Sequence, residues 1–83
     1  MKKQNELLKE LEEAAGKLNI RLRYEKTKAR GGLCRINDET VIIIDRNASP
    51  IYKTQVIAEC LRGFDLDDVF LSPRAREAIE TAD

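Results

Sequence analysis

Apolar residues recur along this chain with two different periods, and the change of period marks out its elements. Leu7, Leu8, Leu11, Ala14, Ala15 and Leu18 form one stripe of a 3.6-residue repeat, with Glu6, Lys9, Glu10, Glu12, Glu13 and Lys17 on the other faces. The pattern predicts an amphipathic helix with Asn5 as its N-cap and Gly16 loosening its last turn. From Ile20 the period drops to two: Ile20, Leu22 and Tyr24 alternate with Arg21 and Arg23, the pattern of a strand with one buried face. Residues 33–36 and 40–44 flank Asn37-Asp38-Glu39 and predict a hairpin. The run Val41-Ile42-Ile43-Ile44 predicts a central strand covered on both faces.

Two Ser-Pro pairs punctuate the rest. Serine accepts hydrogen bonds from free helix N–H groups, and proline at the first helical position sacrifices no bond. Ser49-Pro50 therefore opens a helix to about Arg62, with Gly63 as the residue after its cap and Phe64 as an apolar lock. Ser72-Pro73 opens a short helix to about Thr81. Between them, Asp65 to Phe70 predicts one turn capped by Asp65, with Asp67 and Asp68 at its positive end.

These elements specify one α+β domain over residues 1–83. Its three-stranded, mainly antiparallel sheet is packed by the N-terminal helix and the helix after the sheet, and a short C-terminal helix closes the far side or an end. The expected core includes Leu8, Leu11, Leu22, Ile36, Ile42, Ile44, Ile57, Leu61 and Phe64. The strand of residues 41–44 should be central; the place of the first strand, beside it or beyond the hairpin, stays open.

Composition narrows the chemistry. At 83 residues with 42% apolar content, one core can form but little depth remains for a buried pocket. Cys34 and Cys60, each beside apolar residues, read as small buried hydrophobes in a reducing compartment. The N-terminal residues lack a signal-peptide pattern, and the longest apolar run is far too short to span a bilayer, so a cytoplasmic protein without a membrane partner is expected.

Net charge is zero but unevenly laid out: residues 1–30 carry nine basic and five acidic groups, residues 31–83 six basic and ten acidic. Within the first part, Arg21, Arg23, Lys26, Lys28 and Arg30 cluster on one strand and the loop after it. Such cations either guard a sheet edge or present a positive surface. As a surface they suit an acidic protein or peptide. A nucleic-acid backbone is the weaker fit, because the chain is neutral and has only two Phe and two Tyr. Gly31-Gly32 follows this cluster but leads into a strand, so it reads as a bulge or a positive-φ turn rather than a phosphate cradle. The aspartates at 65, 67 and 68 lack the glycine and distal glutamate of a calcium loop and read as capping residues.

Ala58-Glu59-Cys60-Leu61-Arg62 keeps the glutamate of an H-E-x-x-H helix, with Ala58 and Arg62 at the two ligand positions. With three strands before this helix, the segment of residues 7–64 resembles the minimal core of the zincin metallopeptidases. The resemblance implies a histidine-less, degenerate member in which Glu59 matches the general base. Ala58 cannot ligate, Arg62 repels a cation, and the chain has no histidine, so neither zinc nor another cofactor is expected. Residues 22–66 also resemble short bacterial proteins with a Gly-Gly-Leu-Cys-Arg segment before a paired strand, a likeness that carries no activity. The expectation is a non-catalytic interaction or regulatory module, the alternatives being a basic-patch nucleic-acid binder and, remotely, a divergent zincin-like hydrolase.

Overall fold

The computed structural model describes residues 2–26 and 32–82. Helix α1 (Lys2–Lys17) is followed by strands β1 (Ile20–Glu25), β2 (Gly32–Ile36) and β3 (Glu39–Asp45), then helices α2 (Pro50–Leu61) and α3 (Pro73–Glu80). The α+β architecture is the one the pattern predicts.

Two element ends differ from expectation. Helix α1 begins at Lys2, so Asn5 lies inside it and not at its cap. Lys2, Lys3 and Gln4 are good helix formers, and the apolar stripe anchors the turns that follow. At its other end α1 runs through Gly16, and Asn19 takes the left-handed conformation (φ 62°) that turns the chain into β1. Gly63 follows the Arg62 cap without a positive φ; instead Gly63 N–H and Phe64 N–H reach back three residues to the Cys60 and Leu61 carbonyls (3.5 and 3.0 Å), a tightened last turn. Both Ser-Pro starts hold. Ser49 Oγ accepts from Tyr52 N–H and Ser72 Oγ from Ala75 N–H, each at 3.2 Å. Residues 65–70 form a turn in which Asp65 Oδ1 accepts from Asp67 N–H at 3.0 Å.

The sheet order is β1-β3-β2, with β3 central. β2 and β3 form an antiparallel hairpin closed by Asn37 and Asp38, both with positive φ (51° and 67°), a two-residue type I′ turn. β1 pairs with β3 in parallel, so the sheet is mixed rather than purely antiparallel. The reason is geometric. The hairpin occupies one side of β3, and Glu25 and Gly32 both lie near the C-terminal end of β3, opposite Asp45 and Ile43. β1 thus ends at the end of β3 where β2 begins, and it runs in the direction of β3.

Register assigns the faces. Ile20, Leu22 and Tyr24 of β1 lie level with Thr40, Ile42 and Ile44 of β3 and belong to the face covered by α1 and α2. Leu11, Ile42, Ile44, Ile57 and Leu61 are its fully buried centre. Leu8, Leu22 and Phe64 are half-buried against it. Helix α3 contacts α1 and α2 but no strand, so it extends the helical layer instead of closing the far side of the sheet. The opposite sheet face therefore meets no described helix, yet on that face Val41 is buried and Ile43 half-buried. Ile36, expected in the core, points to this open side and is 39% exposed.

Glu10 ties the helical layer together. Its carboxylate accepts from Ser72 N–H (2.7 Å) and Ser72 O–H (2.8 Å), which anchors the start of α3 to α1. On the other side Tyr24 O–H donates to Glu12, and the Lys53 ammonium sits 5.3 Å from the Tyr24 ring centroid, joining α1, β1 and α2. Burial chiefly, then the Glu12 hydrogen bond and charge, hold the Tyr24 phenol well above its ordinary value. Among the described residues, no helix is long and apolar enough to cross a membrane.

Candidate interaction surface

The open sheet face carries Arg21, Arg23 and Glu25 on β1, Glu39, Val41, Ile43 and Asp45 on β3, and Ile36, Cys34 and Gly32 on β2. Strand periodicity alone produces this set: each residue is two from the next along its strand and level with its neighbours across the ladder. Val41 is only 2% exposed although no described helix packs on this face. Arg21, Arg23, Ile36, Asn37, Glu39 and Val41 line a shallow depression of about 110 Å³ there.

Two of the three arginines of the predicted basic cluster, Arg21 and Arg23, stand on this face at the β1 edge, with side-chain exposures of 67% and 49%. Neither is a bare cation. Arg21 Nη1 lies 3.3 Å from Glu39 Oε2, and Arg23 pairs with Glu25 two residues along the same strand. The surface is thus an arginine edge with carboxylates interleaved rather than a uniformly positive patch. Lys26 is exposed just past β1; Lys28 and Arg30 lie outside the described residues. Gly32 opens β2 at φ 151°, a conformation that favours glycine, and Gly31 lies outside the described residues.

The apolar floor of this face, Val41 and Ile43 with Ile36, escaped sequence reading. Four consecutive apolar residues carry no alternation to show which pair faces out. The exposed Arg21 and Arg23, level with Val41 and Ile43, are the signal that places them.

The two ligand positions of the degenerate motif are turned toward the C-terminal segment. Ala58 is buried and lines a groove of about 280 Å³ with Leu7 of α1, Ala78 of α3 and Ala82 just beyond it. Arg62 Nη1 donates to the Ala82 carbonyl. Glu59 is half-buried. Among the described residues, no group of three or more His, Cys, Asp or Glu side chains is arranged to hold a metal ion.

Cys34 and Cys60 are free thiols and half-buried rather than buried. Burial, then the Glu59 charge and then Cys34 push the Cys60 thiol up, away from the low-pKa thiolate that nucleophilic chemistry needs. Among the described residues, Leu33, Ile36, Ile51 and Phe70 are the large apolar side chains left exposed, Phe70 most of all, between the buried Val69 and Leu71. Compared with protein-family models, curated proteins and solved structures, the chain matches none of them.

Proposed function

We propose that this chain is a non-catalytic protein-interaction module of the bacterial cytoplasm that takes an extended acidic segment of a partner along the free edge of β1. The observation that carries the reading is the coincidence of an edge strand with two exposed arginines two residues apart on its open face. An edge strand offers alternate backbone N–H and C=O groups to an added strand, which supplies affinity without a deep pocket. Acidic side chains two apart on such a segment repeat at about 6.6 Å, the spacing of Arg21 and Arg23 along their own strand. The present partners Glu39 and Glu25 are not an obstacle. Exposed pairs of this kind are worth about 0–1 kcal/mol, so a ligand carboxylate can replace them. Two free thiols suit a reducing compartment.

The test uses a synthetic extended peptide alternating Glu with Thr or Val. Its binding should shift the backbone amide resonances of residues 20–25. The Arg21→Glu, Arg23→Glu double variant should keep its circular dichroism spectrum and lose the peptide. Unchanged binding by that variant would refute the reading. Tighter binding of single-stranded DNA, steeply weakened by salt, would favour the nucleic-acid alternative. Stoichiometric zinc in purified protein, with hydrolytic activity lost in Glu59→Gln, would favour the zincin-like one.

A further inference from the structure

The second sheet edge, β2, has a different character, and we infer that it is a homodimer interface in which two β2 strands pair antiparallel about a two-fold axis through Cys34. β2 lies at the end of the β1-β3-β2 order, so no described strand pairs with its outer side. Its sequence is Gly-Leu-Cys-Arg-Ile, without the lysine or proline that commonly blunts an edge. Two large apolar side chains on it are left in water, Leu33 at 48% exposure and Ile36 at 39%.

The hairpin fixes which backbone groups are free. Around a two-residue type I′ turn the flanking residues, Ile36 and Glu39, exchange both hydrogen bonds, and hydrogen-bonded pairs then alternate along the ladder. Cys34 and Gly32 therefore bond inward to Val41 and Ile43, while Leu33 and Arg35 turn their N–H and C=O groups outward.

Only one self-pairing uses all of these groups well. Centred on Arg35, it sets like charges directly opposite each other. Centred on Leu33, it leaves Arg35 without an outward-bonding partner among the described residues of the strand. Centred on Cys34, it pairs Leu33 with Arg35 of the second copy, and the reverse, satisfying both outward residues of each strand.

Side chains fit the same register. On the open face each Ile36 lies opposite Gly32 of the other copy, where no side chain stands and the space beyond the missing Cβ is empty. On the helical face each Leu33 meets the aliphatic stem of Arg35. The chain's zero net charge adds no overall repulsion between copies. The product is a six-stranded sheet with the β1 edges outermost, so the interface is independent of the peptide site proposed above.

An interface of one short edge is small, and its dissociation constant is expected at about 10 µM to 1 mM. Sedimentation equilibrium over that range should show a reversible monomer–dimer equilibrium. Arg35→Pro removes an outward N–H that β3 does not use and should weaken dimerisation at least about tenfold. Leu33→Lys, a substitution at an exposed side chain, should do the same if the proline variant fails to fold. In Cys60→Ser protein, diamide should link two copies through Cys34, because the central non-hydrogen-bonded pair has its Cα atoms about 4.5 Å apart. In that reaction two thiols give up two protons and two electrons to the diamide. A monomer throughout the range, a dimer indifferent to both edge variants, or a dimer in which Cys34 does not crosslink would each overturn the inference.

Discussion

Replacing Glu10 by alanine should be the most informative stability experiment on this protein, because one carboxylate joins residues 62 positions apart. Glu10 accepts from both Ser72 N–H and Ser72 O–H, at 2.7 and 2.8 Å, at the start of α3. Hydrogen bonds to a charged group contribute about 1.5–3 kcal/mol each, and a carboxylate beside a helix N-terminus adds about 0.3–1 kcal/mol. The site is only part-buried, so water replaces some of the loss, and a net cost of about 2 kcal/mol is expected. A domain of this size has a total stability of about 4–12 kcal/mol, so the change is large. In urea, with a slope near 1 kcal/mol/M, the midpoint should fall by about 2 M. Far-ultraviolet circular dichroism would follow the transition. Glu10→Gln keeps one acceptor and should lose about half as much. A double-mutant cycle with Ser72→Ala isolates the contact, with an expected coupling of at least about 1 kcal/mol. Additive effects, or a Glu10→Ala loss under about 0.5 kcal/mol, would refute the view that this carboxylate anchors α3.

Ile42→Ala at the fully buried centre of β3 should cost about 2–5 kcal/mol, whereas Ile36→Thr on the open face should stay within about 0.5 kcal/mol at concentrations where the protein is monomeric; chemical denaturation compares them. Tyr24 holds its proton more tightly when folded, so its contribution is complete below its unfolded value near 10.0 and is lost as pH rises through the higher folded value. In Tyr52→Phe protein, tyrosinate absorbance should therefore lag behind that of free tyrosine and appear together with alkaline unfolding. Cys60, in Cys34→Ser protein, should react with an aromatic disulfide reagent near neutral pH more slowly than an exposed cysteine peptide, and urea should abolish the difference.

The sequence by itself determined the local elements, because their signals are carried by neighbouring residues. Ser49-Pro50 and Ser72-Pro73 each bring the side-chain acceptor and the fixed φ that a helix start needs, and both helices begin there. Alternation along Ile20 to Tyr24 placed Arg21 and Arg23 outward before any neighbour was known, since strand period alone decides that question. Relations between elements were legible only in part. The central place of residues 41–44 followed from their apolar run, but such a run has no parity mark, so which of these residues meet the helices depended on how the layers pack. The place and the parallel direction of β1 beside β3 are a pairing between distant segments that no residue type encodes. Ile36 was apolar and in phase with a strand, yet it lies outside because its face has no helix over it. Glu10 looked like any solvated position on α1; only packing brought Ser72 to it. Local hydrogen-bond chemistry is written in adjacent residues, whereas burial and long-range pairing depend on which surfaces meet, and that is decided when the whole chain closes on one core.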